Sequence, residues 1–198
     1  MVATASTVSR GPAALVSDSL ARSVLRSARS TVANRQSSVR VDAVRLRRAI
    51  DRALAAVGRP RGMVDLAIVD DHEIRRLNAR HRGIRRRTDV LAFPLEIEGT
   101  PGRLIGQIVI SAETALRQAQ RIGVPVATEL DLLVTHGVLH LVGWDDRDPV
   151  EAHLMHRRER QILAQRGGRA PERLWSDLLH RAKKPSRRGA AIPTPARS

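Results

Sequence analysis

The chain contains no cysteine, which excludes disulfides and every thiolate-based metal site. Any metal it holds must be taken by histidines and carboxylates. Apolar runs are short as well, none approaching the ~20 residues of a membrane-crossing helix, so the chain reads as soluble. Acidic residues are scarce at both ends. Residues 1–40 carry six arginines against Asp18, and residues 169–198 carry eight lysines or arginines against Glu172 and Asp177. Of the net charge of +15, these ends supply +5 and +6, leaving only +4 for residues 41–168. A polyanion, most simply RNA, is the natural partner for such a balance, because each neutralised phosphate releases counterions.

With 198 residues there is room for one domain with a full core and two extensions, but not for two ordinary domains. Residues 1–29, rich in Ser, Ala and Arg, read as a disordered leader. A transit peptide has the same composition, so organelle targeting stays open beside the simpler reading of a cytoplasmic protein. The domain is expected over residues 30–168. Residues 169–198 form a basic C-terminal extension, a short helix followed by a disordered tail.

What the chain does have is a stretch from Thr135 to Asp146 with the pattern H-x3-H-x2-G-x2-D. In a helix, His136 and His140 share one face a turn apart. Gly143 can end that helix in a left-handed conformation and bring Asp146 back to the same point. The spacing is that of the metzincin zinc motif H-E-x-x-H-x-x-G-x-x-H, with Gly137 in place of the protease glutamate. Two imidazoles and one carboxylate suit Zn²⁺ and leave one coordination position open, as catalytic zinc sites require. Asp145, His153 and His156 are outside candidates as ligands; Asp145 is expected to brace the turn, and the two histidines to be surface or core residues.

The surrounding elements follow from periodicity and caps. Thr31–Arg35 predicts a short edge strand. Apolar residues at 44, 46, 50, 54 and 57 predict an amphipathic helix ended by Gly58 and Pro60. Met63–Val69 predicts a buried strand, and Asp70 with Glu73 starts a helix through Asn78. A basic loop from Arg80 to Arg87 holds five arginines in eight residues, a placement that favours phosphate binding. Asp89–Ile97 and Leu104–Ile110 predict a hairpin around the turn at 98–102. Ser111 caps a helix ending at Gly123, and Thr128 is expected to cap the apolar helix carrying the two histidines. Pro149 opens a helix to about Gln165 with Val150, Leu154 and Ile162 inward, and a last helix is expected from Pro171 to His180.

These residues resemble the YbeY endoribonucleases. That family's H-G-x-L-H-L-x-G-Y-D-H appears as His136-Gly137-Val138-Leu139-His140-Leu141-Val142-Gly143-Trp144-Asp145-Asp146. Its L-N-x-x-x-R and T-D-V-L-S-F-P blocks appear as Leu77-Asn78 with Arg82, then Thr88-Asp89-Val90-Leu91-Ala92-Phe93-Pro94. Its G-D-I-x-I-S block appears as Gly106-Gln107-Ile108-Val109-Ile110-Ser111. The resemblance spans roughly Thr31 to Gln165.

It implies an α+β fold, a small mixed sheet against several helices with the zinc helix in the core, and one Zn²⁺ per chain. It also implies a single-strand-specific endoribonuclease acting in 16S 3′-end maturation and ribosome quality control, with rRNA and the small ribosomal subunit as partners. Arg82 matches the family's functional arginine. The catalytic residues expected on this basis are Arg82 and His136, the ligands His136, His140 and Asp146, and the RNA-binding residues Arg82, Arg85, Arg86 and Arg87. Three positions depart from the pattern: Asp146 replaces a histidine, Gln107 an acid and Ala92 a serine. The carboxylate makes a harder site, more open to Mn²⁺. Either water or the RNA 2′-hydroxyl is the nucleophile, and no residue is assigned as general base. The alternatives are a non-catalytic, zinc-stabilised ribosome-associated factor and, more remotely, a zinc peptidase.

Overall fold

The structure, a computed structural model, describes residues 29–95, 104–165 and 171–175. The leader, the hairpin turn, the break at Gly167-Gly168 and the tail beyond Trp175 lie outside the described residues.

Strand β1 (Thr31–Asn34) is followed by helix α1 (Ala43–Ala56) and strand β2 (Met63–Val69). Asp42 starts α1 by accepting the backbone N–H groups of Val44 and Arg45, which offsets two orphan donors of the first turn. Leu46, Ala49, Ile50, Ala53 and Leu54 form its buried stripe. Helix α2 (Asp71–Arg82) follows, then strand β3 (Val90–Pro94) and strand β4 (Leu104–Ser111). Helices α3 (Ala112–Ile122), α4 (Val126–Leu141) and α5 (Pro149–Ala164) and a single 3-10 turn at Glu172–Trp175 complete the described chain.

The four strands form one mixed sheet in the order β1-β2-β4-β3, with β1, β2 and β4 parallel and β3 antiparallel to β4. Alternation along the strands sends Val64, Leu66, Ile68, Ile108 and Ile110 into the main core with α1 and α4. Val69, Leu91 and Val109 on the opposite face pack with Ile74 of α2. The expected α+β class, with a mixed sheet against several helices, is what the chain forms. No single helix among the described residues is long and apolar enough to cross a membrane.

Helix α4 runs through the middle, buried on all sides from Glu129 to Leu139, the pattern of a core helix rather than a surface one. Two glycines let it lie on the sheet. A Cβ on Gly137 would sit 2.9 Å from two carbons of Ile108, and one on Gly106 would sit 2.5 Å from a Leu141 methyl and 2.6 Å from the Phe93 carbonyl oxygen. Arg45 on α1 anchors the other side of α4 through a two-pronged ion pair with the buried Asp131.

Four local expectations need correction. Helix α2 runs one turn past Asn78, to Arg82, and Gly83 at φ +70 ends it; Arg80, His81 and Arg82 are therefore helical, and the basic loop begins at Gly83. Cationic side chains favour the negative end of the helix dipole, so this basic turn continues the helix instead of breaking it. Helix α4 begins at Val126 with Pro125 at its N-cap and no side-chain cap, which puts Thr128 inside the first turn. On α5, Val150 and Leu154 are exposed, while Ala152, Met155, His156, Glu159, Ile162 and Leu163 face inward. That inward stripe has good helical spacing but contains two polar residues, so apolar periodicity placed Ile162 correctly and Val150 and Leu154 on the wrong side. At the C-terminal side, the predicted Pro171–His180 helix is a 3-10 turn over Glu172–Trp175; the rest of that span lies outside the described residues.

Candidate metal centre

The last turn of α4 builds the site. His136 and His140 stand four residues apart, and their Nε2 atoms are 3.0 Å from each other. The helix ends as a Schellman motif: Gly143, at φ +94, donates to the His140 carbonyl, and Trp144 donates to the Leu139 carbonyl. That reversal returns the chain over the histidines and sets Asp146 beside them. Its carboxylate oxygens lie 3.7 Å from each Nε2 atom. Asp145 does not join the cluster. Its Oδ1 accepts the backbone N–H groups of Asp146 and Arg147, and its ion pair with Arg147 holds its carboxyl down at about 2. It braces the turn.

The tautomers follow from the outer contacts. His136 Nδ1 is 2.8 Å from Glu159 Oε1, and His140 Nδ1 is 2.9 Å from the Trp144 carbonyl oxygen. Both oxygens only accept, so both Nδ1 atoms carry hydrogen. Each neutral ring then presents a bare Nε2 lone pair to the other. Two lone pairs at 3.0 Å repel unless a cation lies between them. A proton on one ring would join the two nitrogens by an N–H···N hydrogen bond but would not draw in Asp146, 3.7 Å away. Burial disfavours the charged form of His136, but the hydrogen bond and charge of Glu159, with the charges of Asp146 and Asp89, outweigh it and raise its pKa. Burial and the neighbouring His136 push that of His140 down. A divalent cation satisfies all three groups together. Ligands about 2.0–2.1 Å from a tetrahedral zinc lie roughly 3.3 Å apart, and the separations of 3.0 and 3.7 Å bracket that value.

Glu159 was not legible as a functional residue. It is fully buried on α5, accepting His136 on one oxygen and both His156 and the Trp175 indole N–H on the other. Burial raises the pKa of a lone carboxylate, but the two imidazoles more than compensate and hold it ionised. A carboxylate behind a ligating histidine fixes the ring's tautomer and strengthens it as a ligand. The available signal was an acid at an inward helical position three residues after His156. Neither His156, which supports Glu159, nor the exposed His153 belongs to the ligand cluster.

The three candidate ligands sit in a cleft of about 610 Å³, walled by β3 through Val90, Ala92 and Pro94 and by the turn from Gly143 to Arg147. Arg82 stands at its edge, at the C-terminal end of α2. Asp89 lines the same wall, yet Thr88 and Val90 engage one of its oxygens and Gln118 the other. Arg85, Arg86 and Arg87 are exposed but do not line the cleft. Arg85 lies beside His72, Arg75 and Arg76 on the outer side of α2, and Arg87 is 3.6 Å from Asp71. Of the three departures from the family pattern, Asp146 and Ala92 face the cleft, whereas Gln107 lies on the other face of the sheet beside Asp65.

The family model described as Endoribonuclease YbeY matches residues 31–167. The chain is 35% identical over 137 residues to the Endoribonuclease YbeY of Syntrophus aciditrophicus (strain SB), covering 67% of this chain and 86% of that one. It is 41% identical over 123 residues to the Endoribonuclease YbeY of Anaeromyxobacter sp. (strain Fw109-5), covering 62% of this chain and 64% of the relative. A solution structure from Thermotoga maritima covers 80% of this chain and 100% of its own at 22% identity, with a TM-score of 0.47. The match takes in every element that builds the cleft, from β1 through α5, and places the chain in the YbeY endoribonuclease family.

Proposed function

We propose that the protein is a zinc-dependent endoribonuclease that cleaves single-stranded RNA, and that its substrate is ribosomal RNA, at the 3′ end of the 16S species and in ribosome quality control. The observation that carries this reading is the pair of bare Nε2 atoms 3.0 Å apart with Asp146 beside them, at the floor of a cleft edged by Arg82. A phosphodiester must enter that cleft to reach the histidines, of which His136 is buried. A flexible single strand can do so more readily than a stiff duplex.

His136, His140 and Asp146 would hold the ion. When bound, zinc supplies Lewis-acid polarisation of a phosphoryl oxygen. Arg82 grips the non-bridging oxygens of the scissile phosphate and stabilises the charge that grows there. Glu159 keeps the Nδ1 proton of His136 in place, so that Nε2 remains a donor to the ion. Asp145 fixes the backbone on which Asp146 is carried. Arg85, Arg86 and Arg87 neutralise phosphates of flanking nucleotides beyond the cleft. The basic ends strengthen attachment to the small ribosomal subunit, and the protein works in the cytoplasm.

The peptidase reading loses its footing on Gly137, which packs against Ile108 and leaves no room for a side chain there. The reading as a non-catalytic RNA-binding factor draws on Asp89, because both oxygens of this buried cleft carboxylate are already engaged. Elemental analysis of the untagged protein, followed by cleavage of a single-stranded RNA, decides between them. About one zinc per chain, with cleavage lost in His136→Ala, supports the endoribonuclease. Tight salt-sensitive RNA binding by zinc-loaded protein without turnover supports the factor. Cyclic-phosphate ends would identify the 2′-hydroxyl as nucleophile, and 5′-phosphate ends would identify water.

A further inference from the structure

Trp175 lies beyond residue 167, where the family match ends, yet it reaches the support of the metal centre. Its indole Nε1 donates to Glu159 Oε2 at 2.8 Å, and the other oxygen of the same carboxylate holds His136 Nδ1 at 2.8 Å. His156 contributes the remaining contact to Oε2, at 2.9 Å. Glu159 is 0% exposed and Trp175 1%, so water cannot replace any of these donors.

The segment that carries Trp175 is fastened at several points. The indole packs in a core of its own with Ala119, Val124, Leu132 and Leu163. The Arg160 guanidinium lies over the ring at 4.9 Å and pairs with Glu172 at 3.3 Å. Arg173 donates to the Gly123 carbonyl at 2.8 Å. A short 3-10 turn of this kind would have little order of its own. These contacts hold the indole N–H at one place relative to α5.

A buried carboxylate gripped by three N–H donors has one orientation available. Without the indole N–H, Oε2 keeps only His156, and the carboxylate rotates to recover a partner. The His136 ring then loses its fixed acceptor. We propose that Trp175 is a positioning residue of the metal centre, acting through Glu159 on His136, so that the first residues of the basic C-terminal extension are built into the support of the site. This rests on the metal reading of His136, His140 and Asp146.

The test uses the full chain and Co²⁺, whose affinity is measured by chelator competition and whose visible spectrum reports ligand geometry. Trp175→Phe keeps the apolar ring and deletes only the N–H donor. It should weaken Co²⁺ binding about tenfold and shift the visible bands, and Glu159→Gln should weaken it at least as much, within the roughly 10–100-fold range for loss of an outer-shell partner. Leu174→Ala serves as the control, because Leu174 is buried in the same turn and its side chain has no polar atom with which to hold Glu159. It should lower the melting temperature at least as far as Trp175→Phe while leaving Co²⁺ affinity and spectrum unchanged. The proposal is overturned if Trp175→Phe binds Co²⁺ like the wild type while Glu159→Gln is weakened. It is overturned equally if Leu174→Ala loses affinity as much as Trp175→Phe, since the effect would then be only structural. A wild-type chain that takes up no Co²⁺ would instead remove the metal reading on which the proposal rests.

Discussion

Gly137 and Ile108 touch where α4 crosses β4: a Cβ on the glycine would lie 2.9 Å from both Cγ2 and Cδ1 of the isoleucine. The residue between the two histidines therefore faces the sheet, in a core contact that a side chain enters only by displacing Ile108. Gly137→Ala gains about 1 kcal/mol of helix propensity and incurs about 1–3 kcal/mol of overpacking, for an expected net loss of about 1 kcal/mol. Denaturant titration should show Ile108→Val, which removes Cδ1 but keeps Cγ2 at the same 2.9 Å, restoring part of that loss in the double variant. Additive losses would mean that the contact is not the cause.

Asp146 is the candidate ligand on which metal choice would turn. Asp146→Ala should lower zinc affinity by more than the roughly 10–100-fold that loss of an outer-shell partner costs. Asp146→His, which restores the family residue, should keep zinc and lower uptake of Mn²⁺ relative to it, because imidazole is the softer ligand. Competition between the two ions, read by elemental mass spectrometry, checks both. Full zinc in Asp146→Ala would show that the carboxylate is not a ligand.

Arg82 and the arginines after Gly83 should separate in kinetics. Arg82→Ala is expected to lower kcat/KM for a single-stranded RNA by about 10²-fold, on the scale of losing one transition-state donor, with metal content unchanged. Arg82→Lys should recover only part of it, since an ammonium cannot grip two oxygens in the plane of a guanidinium. Alanine at Arg85, Arg86 or Arg87 should leave kcat alone and reduce the salt slope of RNA binding by about 1 for each phosphate no longer neutralised. A loss of kcat at Arg86 comparable to that at Arg82 would put the loop inside the active site.

Asp71 ties α2 to α3. Its carboxylate accepts Ser111 and Thr114 hydroxyls and the Arg117 guanidinium at 2.6–2.7 Å. Partial burial opposes ionisation, but these three donors outweigh it and lower the folded pKa below the free value of 3.8. Because the folded value is the lower one, the stabilisation is fully present above about pH 4 and is lost as pH falls through the folded pKa. Asp71→Asn should therefore cost most near pH 6 and progressively less toward pH 3, measured as the difference in urea midpoints. A gap that widens in acid would reverse the assignment.

Much of the fold was legible because it is written in local signals. Asp70, Ser111, Gly58 and Gly123 mark helix ends by chemistry that needs no tertiary contact, and β2 occupies the predicted Met63–Val69. The errors share one cause. Pro125, Arg80–Arg82 and the inward face of α5 were decided by packing or by helix-end electrostatics that a count of apolar residues does not contain. At the site, the candidate ligands were legible because they lie within one turn and a reversal of chain. Glu159 and Trp175 were not, because they meet each other and His136 from different elements, and only His156, three residues back on α5, is tied to Glu159 by spacing.

What the sequence alone determined is the cluster of His136, His140 and Asp146 and its geometry in outline. Histidines four apart on a helix, a glycine free to take positive φ, and an aspartate three residues later converge by backbone geometry whatever surrounds them. Only the tertiary structure decided what surrounds them: the sheet pressed against Gly137, Arg82 at the rim of the cleft, and the buried carboxylate that holds His136 in one tautomer. An ionised glutamate can sit in a core only when donors reach it from several elements at once, and that meeting is a property of the packed chain.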